Sequence, residues 1–106
     1  MSMDAVFKAL GDPSRRRLLD RLQAQNGQTF NELCEQMDMT RQAVTKHLAI
    51  LETANVIATV RKGRVKEHYL NPVPINDIAE RWIGKFERRR LAALSDLKRK
   101  LEREAK

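Results

Sequence analysis

The sequence is poor in the residues that build disulfide-rich, aromatic-rich or membrane-spanning proteins. Its 106 residues include one cysteine, three prolines and four glycines, and only 5% are aromatic. One cysteine excludes an internal disulfide and is typical of a reducing cytoplasm, where we expect the protein to reside. No apolar run reaches the length of about 18 residues that a membrane-spanning helix needs, and the opening Met-Ser-Met-Asp is not typical of a signal peptide.

Positive charge is what the chain has in excess. Lysine and arginine number 21 against 14 aspartates and glutamates, which gives a net charge of +7 and a pI near 10.1. This balance favours a polyanionic partner, most simply nucleic acid, although the charge could also serve only to keep the protein soluble. The length fits one compact domain with a modest core, which dimerisation would help to complete.

The stretch from residue 29 to residue 55 predicts two short helices joined by a tight turn. Thr29 and Glu32 have the spacing of a capping box, and apolar residues follow at steps of three and four. Thr40 then predicts the start of the second helix. The apolar positions of that helix form one stripe, Val44, Leu48 and Leu51.

The polar side of this second helix is rich in hydrogen-bond donors. Its first two turns carry Arg41, Gln42, Thr45 and Lys46. In a helix-turn-helix, the start of the second helix contacts base edges, where arginine suits guanine and glutamine suits adenine. We therefore predict that these four side chains read bases and that Thr29 and Thr40 contact the DNA backbone. The alternative is an ordinary amphipathic helix with a solvated polar face.

A basic β-hairpin is predicted after the two helices. Residues 56–60 are rich in β-branched side chains, residues 65–70 form the returning strand, and Gly63 supplies the positive φ of a tight turn. The expected anchors on the helices are Ile57, Val60, Tyr69 and Leu70. The tip carries four cations, Arg61, Lys62, Arg64 and Lys66, which we predict to neutralise DNA phosphates as a wing. The alternative is a charged edge that only deters aggregation.

Two helices are predicted before residue 27. The first is short and amphipathic, and Asp12 and Pro13 predict the N-cap and first residue of the second, which extends to about Gln25. Its buried positions are Leu18, Leu19 and Leu22. Three arginines, 15–17, lie in its first turns, where cations oppose the helix dipole at a cost of a few tenths of a kcal/mol. Contact with phosphate, contact with a partner subunit and simple solvation all remain open for them.

The carboxyl-terminal third predicts a dimerisation helix. Residues 71–74 read as a rigid connector without helix, and one helix of about 45 Å is expected from Pro74 to about Arg103. We divide the chain into a DNA-binding part, 1–72, and a dimerisation part, 73–106. Because the apolar stripe of this helix is longer than so small a core can cover, we predict a homodimer that pairs the first and last helices. The predicted interface residues are Val6, Phe7, Leu10, Ile78, Trp82, Ile83 and Phe86.

Two segments resemble the ArsR-type bacterial transcriptional repressors. The first is FKALGDPSRRRLL, residues 7–19, and the second is TRQAVTKHLAIL, residues 40–51, which is similar to the recognition helix of that family. The resemblance implies a mainly α fold with a small β-hairpin, a winged helix-turn-helix that dimerises through its first and last helices. It also implies a repressor that binds operator DNA and releases it on an effector signal. The DNA-contacting positions of the family fall on Arg41, Gln42, Thr45 and Lys46, and the wing falls on 62–66.

The chain departs from the metal-sensing members of that family. Those members carry a Cys-x-Cys pair where this chain has Thr29 and Asn31. Cys34 follows one turn later, on the apolar face, and a lone thiolate cannot complete a tetrahedral zinc site. We therefore interpret Cys34 as a core residue and expect no metal and no other cofactor. His47 is expected to make a structural hydrogen bond or to border the DNA.

The leading functional hypothesis is a homodimeric repressor that reads an inverted-repeat operator in double-stranded DNA. The alternative is a protein-interaction module that uses the carboxyl-terminal helix to dock a partner. An enzyme is not predicted, since the sequence shows neither a paired nucleophile and base nor a phosphate-binding glycine loop. A small-molecule effector is compatible with the sequence, which does not identify one.

Overall fold

A computed structural model describes residues 3–83 and 88–105 of the chain. The described elements are α1 (Met3–Leu10), α2 (Pro13–Ala24), β1 (Gln28–Thr29), α3 (Phe30–Gln36), α4 (Arg41–Thr53), β2 (Ile57–Lys62), β3 (Val65–Leu70), α5 (Val73–Ile83) and α6 (Arg88–Glu104). They form two compact units, Met1–Asn76 and Asp77–Lys106. The predicted class, mainly α with a small β-hairpin in a winged helix-turn-helix, is confirmed.

The three predicted N-caps define where the helices begin. Asp12 accepts hydrogen bonds from the backbone N–H groups of Ser14 and Arg15, at 2.8 and 3.2 Å. Thr29 and Glu32 form the full capping box, with each side chain accepting from the other residue's backbone N–H. Thr40 accepts from the N–H of Ala43 at 3.1 Å and starts α4. These short-range bonds satisfy amide groups that a helix leaves without partners, so local sequence is enough to place each start.

The core of the first unit lies where α2, α3 and α4 turn their apolar faces inward. The predicted buried leucines of α2 and the predicted stripe of α4 are all buried. The largest side chains that are fully buried include Leu18, Leu22, Leu33, Val44, Leu51, Val56 and Ile57. Each such aliphatic side chain contributes about 1.5–3 kcal/mol when it leaves water, so this cluster holds α4 in place from beneath.

The β-sheet has one more strand than the sequence predicts. Its strands are antiparallel in the order β1-β3-β2, and Gln28 of β1 pairs with His68 of β3. Gly27, with φ of 84°, turns the chain into β1 and donates its N–H to the His68 carbonyl at 2.8 Å. A strand of two residues has no readable alternation, which is why sequence periodicity does not reveal it.

The hairpin is anchored differently from the prediction. Ile57 is buried as expected, but Val60 is 44% exposed. Side chains three residues apart on a strand point to opposite faces, so both could not be anchors. Tyr69 and Leu70 are only half-buried, and Val56 and His68 are buried instead.

The turn of the hairpin is as predicted. Lys62 and Val65 form its last pair, and Gly63 has φ of 63° while Arg64 keeps a negative φ. That combination fits a two-residue turn with glycine at its first central position.

The start of the carboxyl-terminal part differs from the predicted connector. Helix α5 begins at Val73, two residues inside the segment predicted to lack helix. Asn71 accepts from the N–H of Val73 at 3.3 Å, and Pro74 is tolerated because the first turn needs no N–H from it. Phe86 and the predicted continuity through 84–87 lie outside the described residues. Among the helices described, none is long and apolar enough to cross a membrane.

Candidate nucleic-acid interface

Helix α4 presents a polar surface over its first two turns. Val44, Leu48 and Leu51 face the core, and the 3.6-residue period turns the intervening positions outward. Those outward positions include the four predicted base-reading residues, Arg41, Gln42, Thr45 and Lys46, all of which are exposed. The structure thus brings these four side chains together on one accessible surface.

The side chain of Arg41 is held against α3. Its Nη2 donates to Asn31 Oδ1 at 2.7 Å, and its guanidinium carbon lies 4.8 Å from the centre of the Phe30 ring. A cation above an aromatic face is attracted to the ring, and the planar guanidinium keeps further N–H donors for another partner. Sequence reasoning did not assign Asn31 and Phe30 to this surface, because their link to Arg41 crosses between two helices.

Thr45, Gln42 and Lys46 differ in what they can offer a base edge. Thr45 donates its hydroxyl to the carbonyl of Arg41 at 3.0 Å, which leaves its methyl group and its oxygen lone pairs for a ligand. The side chains of Gln42 and Lys46 form no hydrogen bond or ion pair with any other residue that the structure describes. Both side chains are therefore available without breaking an internal contact.

The two threonine caps lie at the starts of α3 and α4. The hydroxyl oxygens of Thr29 and Thr40 accept backbone N–H groups, so each hydroxyl proton can be donated to another acceptor, such as a phosphate oxygen. Thr40 is exposed, whereas Thr29 is half-buried and also pairs with Glu67 in the sheet. Thr40 is the more accessible of the two predicted backbone contacts.

Among the described residues, two of the four cations at the hairpin tip are paired with a carboxylate. Lys62 Nζ lies 3.2 Å from a carboxylate oxygen of Glu67, and Lys66 Nζ lies 3.7 Å from Glu52. Arg61 and Arg64 are exposed and form no ion pair with the described parts of the chain. The structure therefore leaves these two arginines as the wing cations most ready to meet a phosphate.

Glu67 is a functional neighbour that sequence reasoning missed. It accepts from the Tyr69 hydroxyl at 2.9 Å as well as from Lys62. The Tyr69 hydroxyl and then the Lys62 ammonium lower the pKa of Glu67, and Glu67 in turn raises the pKa of Lys62 and of Tyr69. The signal was present in the sequence, since a two-residue turn brings 62 and 67 to diagonal positions on the same face.

Glu52 connects α4 to the wing. One of its carboxylate oxygens accepts from the Thr59 hydroxyl at 3.3 Å and lies 3.7 Å from the Lys66 ammonium. A cleft of about 320 Å³ lies beside this connection, lined in part by Phe30, Thr45 and His68. Helix α4 and the hairpin are thus connected by an acid that was outside the predicted site.

The two histidines and Cys34 have structural surroundings. His68 is buried, and its Nδ1 lies 3.0 Å from the Gln28 carbonyl, to which it can only donate. His47 Nδ1 lies 3.3 Å from a guanidinium nitrogen of Arg15.

Cys34 is half-buried rather than in the core as predicted, because Leu33 and Met37 occupy the inward positions of this segment. Within the described residues, no three potential ligands cluster closely enough to hold a metal ion.

Two of the three arginines at the start of α2 cap the preceding helix. Arg15 and Arg16 donate to carbonyls at the carboxyl end of α1, and Arg17 contacts Ser14 at 3.4 Å. Cations stabilise the negative end of a helix dipole. The unfavourable position at the start of α2 is thereby offset by a favourable one at the end of α1, a role that was not among the alternatives from sequence.

The predicted dimer residues differ in accessibility. Val6 is only 4% exposed and packs in the core of the chain, because it faces inward from α1, as does Ala9. Phe7 is 45% exposed on α1, and Leu10 is half-buried. On α5, Trp82 and Ile83 are exposed and Ile78 is half-buried.

Comparison of the sequence with known proteins gives consistent matches. Residues 10–60 match a family model described as a helix-turn-helix domain. The chain is 40% identical over 86 residues to the HTH-type transcriptional regulator YuzN of Bacillus subtilis, covering 76% of this chain and 94% of that protein. It is 36% identical over 75 residues to the transcriptional repressor SdpR of Bacillus subtilis, covering 71% of this chain and 82% of the other.

Solved structures show the same architecture. A crystal structure of an ArsR family transcriptional regulator matches with a TM-score of 0.66 and 33% identity, covering 77% of this chain and 82% of the other. An ArsR-like transcriptional regulator from Rhodococcus sp. RHA1 matches with a TM-score of 0.71 and 29% identity, covering 92% and 91%. The order of helices, sheet and wing described above is therefore shared with these regulators.

Proposed function

This chain belongs to the ArsR-type winged helix-turn-helix transcriptional regulators, which bind DNA, and from that premise we propose that it is a homodimeric repressor of an inverted-repeat operator. The observation that carries the proposal is the surface of α4. Four exposed side chains that suit base edges and phosphates project from its first two turns, while its opposite face is buried in the core.

Base reading is assigned to the start of α4. Arg41 suits a paired contact to guanine, Gln42 suits adenine, and the methyl group of Thr45 suits thymine. Lys46 and the wing arginines Arg61 and Arg64 supply charge for phosphates, which adds affinity with little sequence information. Lys62 and Lys66 contribute less than these arginines, because each is paired with a carboxylate. Thr40, and to a smaller extent Thr29, adds a hydroxyl donor to the backbone.

Homodimerisation supplies the symmetry of the operator. Exposed apolar side chains support it on both predicted interface helices, Phe7 on α1 and Trp82 and Ile83 on α5. Two recognition helices related by a two-fold axis require half-sites whose centres lie about 34 Å apart, or a multiple of that distance. Bound at a promoter, such a dimer excludes RNA polymerase, and a relative of this chain is named as a repressor.

Selection of DNA by the purified protein tests the proposal directly. A pool of random-sequence duplexes is enriched on the protein and sequenced, and the mass of the protein in solution is measured by light scattering. We expect an inverted repeat and a mass of twice 12.3 kDa. A monomer that enriches no sequence would refute the proposal, and a single asymmetric site would refute its two-fold operator.

The carboxyl-terminal helix supports a second candidate function, docking of another protein. Its side chains Leu94, Leu97 and Leu101 are each more than half exposed. Leu97→Asp separates the candidates, because a charge on this face disrupts whatever packs there. If α6 pairs two copies, the mass falls to that of a monomer and operator binding weakens. If α6 docks another protein, mass and operator binding stay unchanged.

A further inference from the structure

Arg15 joins three helices at one side chain. Its Nε donates to the Ala9 carbonyl at 2.8 Å and its Nη2 donates to the Lys8 carbonyl at 3.0 Å, both at the end of α1. Its Nη1 lies 3.3 Å from Nδ1 of His47, in the middle of α4. The side chain starts from α2, so a single guanidinium connects α1, α2 and the recognition helix.

The chemistry of this contact defines the state of His47. A guanidinium has only donors, so Nδ1 of the imidazole must accept and the ring proton must be on Nε2. Asp12, the N-cap of α2, accepts the backbone N–H of Arg15 at 3.2 Å.

Polar contacts fix α4 on three sides. Among the described residues, its side chains reach α3 through Arg41 and Asn31, the wing through Glu52, and α2 through His47 and Arg15. The apolar stripe beneath the helix holds it by burial, which is non-directional. Hydrogen bonds add directional restraints, because their strength falls steeply as geometry departs from linear.

We infer that Arg15 is a positioning residue for DNA recognition, which sets the orientation of α4 relative to α1 through its contact with His47. This inference rests on the proposed base-reading role of α4. When the contact is lost, the side chains at the start of α4 meet base edges with poorer geometry. Phosphate contacts are less sensitive to such a change, since they depend mainly on charge. Loss of the contact therefore lowers discrimination between DNA sequences more than it lowers affinity for any DNA.

Four variants test the inference. Arg15→Lys keeps the charge but cannot bond the α1 carbonyls and His47 together. Arg16→Lys is the matched control, because Arg16 also donates to an α1 carbonyl, that of Leu10 at 2.7 Å, and has no hydrogen bond to α4. His47→Leu removes the acceptor. His47→Asn restores an acceptor, since its Oδ1 can occupy the position of Nδ1.

The measurement is the ratio of Kd for a base-shuffled duplex to Kd for a duplex that the wild-type protein selects from a random pool. We expect Arg15→Lys and His47→Leu each to lower this ratio on the order of tenfold, the effect of one hydrogen bond to a charged group. Arg16→Lys and His47→Asn should stay within about twofold of wild type. Because the two partners share one contact, the double variant Arg15→Lys/His47→Leu should be no worse than either single variant.

Several results would overturn the inference. If Arg15→Lys and Arg16→Lys give equal ratios of Kd values, Arg15 acts only as a cap on α1. If His47→Leu keeps the wild-type ratio of Kd values, or if His47→Asn lowers that ratio as much as His47→Leu does, the Arg15–His47 contact has no role in discrimination. If Arg15→Lys does not fold, the His47 pair decides alone. Failure of the wild-type protein to select any sequence would instead refute the proposed function, which keeps the two failures distinct.

Discussion

The guanidinium of Arg41 lies 4.8 Å from the centre of the Phe30 ring, so the first residue of α4 is attached to the first residue of α3. A second bond, from Arg41 to Asn31, fixes the plane of the guanidinium. An arginine held in this way loses less conformational entropy when it binds than a freely rotating one.

We predict from this that Arg41→Ala changes specific and non-specific DNA binding unequally. Loss of a paired base contact costs about 1–3 kcal/mol, or roughly fivefold to 150-fold in affinity for the selected operator. Affinity for shuffled DNA should fall only a few-fold. The control is Arg17→Ala, which removes the same charge from an exposed arginine on α2. Electrophoretic mobility shifts on the two duplexes measure both effects, and a uniform loss across sequences would contradict base reading.

Glu67→Gln should strengthen DNA binding by releasing Lys62. The Glu67 carboxylate lies 3.2 Å from the Lys62 ammonium, and without this carboxylate the lysine is available to a phosphate. We expect the slope of log Kd against log salt concentration to steepen by about one, the change that one additional phosphate contact produces. Glu35→Gln is the control, because it removes the same charge from an exposed position on α3. Equal slopes in the two variants would mean that Lys62 does not reach the DNA.

The same carboxylate predicts a pH dependence of stability. The Tyr69 hydroxyl and the Lys62 ammonium lower the pKa of Glu67 in the folded protein. A carboxyl group whose pKa is lower in the folded protein than in the unfolded chain stabilises the fold at pH values above its unfolded-state pKa, about 4.3 for glutamate. This stabilisation is lost as the pH falls through the lower, folded-state pKa. Urea unfolding should therefore show wild type more stable than Glu67→Gln at pH 7, with the gap closing at pH 3. A gap that is constant with pH would rule out this linkage.

Asn55 is strained between α4 and β2. Its φ is 62°, the one positive φ among the described non-glycine residues, and its carbonyl accepts from Asn71 at 2.8 Å. Asn55→Gly should keep or raise stability, because glycine adopts this conformation freely. Asn55→Ala should cost on the order of 1 kcal/mol, since the added strain is not offset by a side chain that tolerates it. Urea denaturation of the two variants provides the test, and equal stability of the glycine and alanine variants would contradict the strain.

Local chemistry made much of the fold predictable. The caps at Asp12, Thr29 and Thr40 and the turn at Gly63 depend on residues a few positions apart, and the structure has all of them. The stripes of α2 and α4 were predictable for the same reason, since periodicity along a helix is a property of the chain itself. The exposed set on α4 follows directly once its buried stripe is known.

Contacts between distant segments had to await three-dimensional packing. The sequence has no means of showing that Arg15 reaches His47, 32 residues away, or that His68 reaches Gln28, 40 residues away. The same holds for the half-burial of Cys34 and the exposure of Val60, which depend on which neighbours arrive from elsewhere. Side-chain types and their spacing therefore specified the winged helix and the polar surface of α4. Which cations are paired with carboxylates, and which neighbouring helices α4 contacts through polar side chains, emerged only when packing brought separate segments within hydrogen-bonding distance.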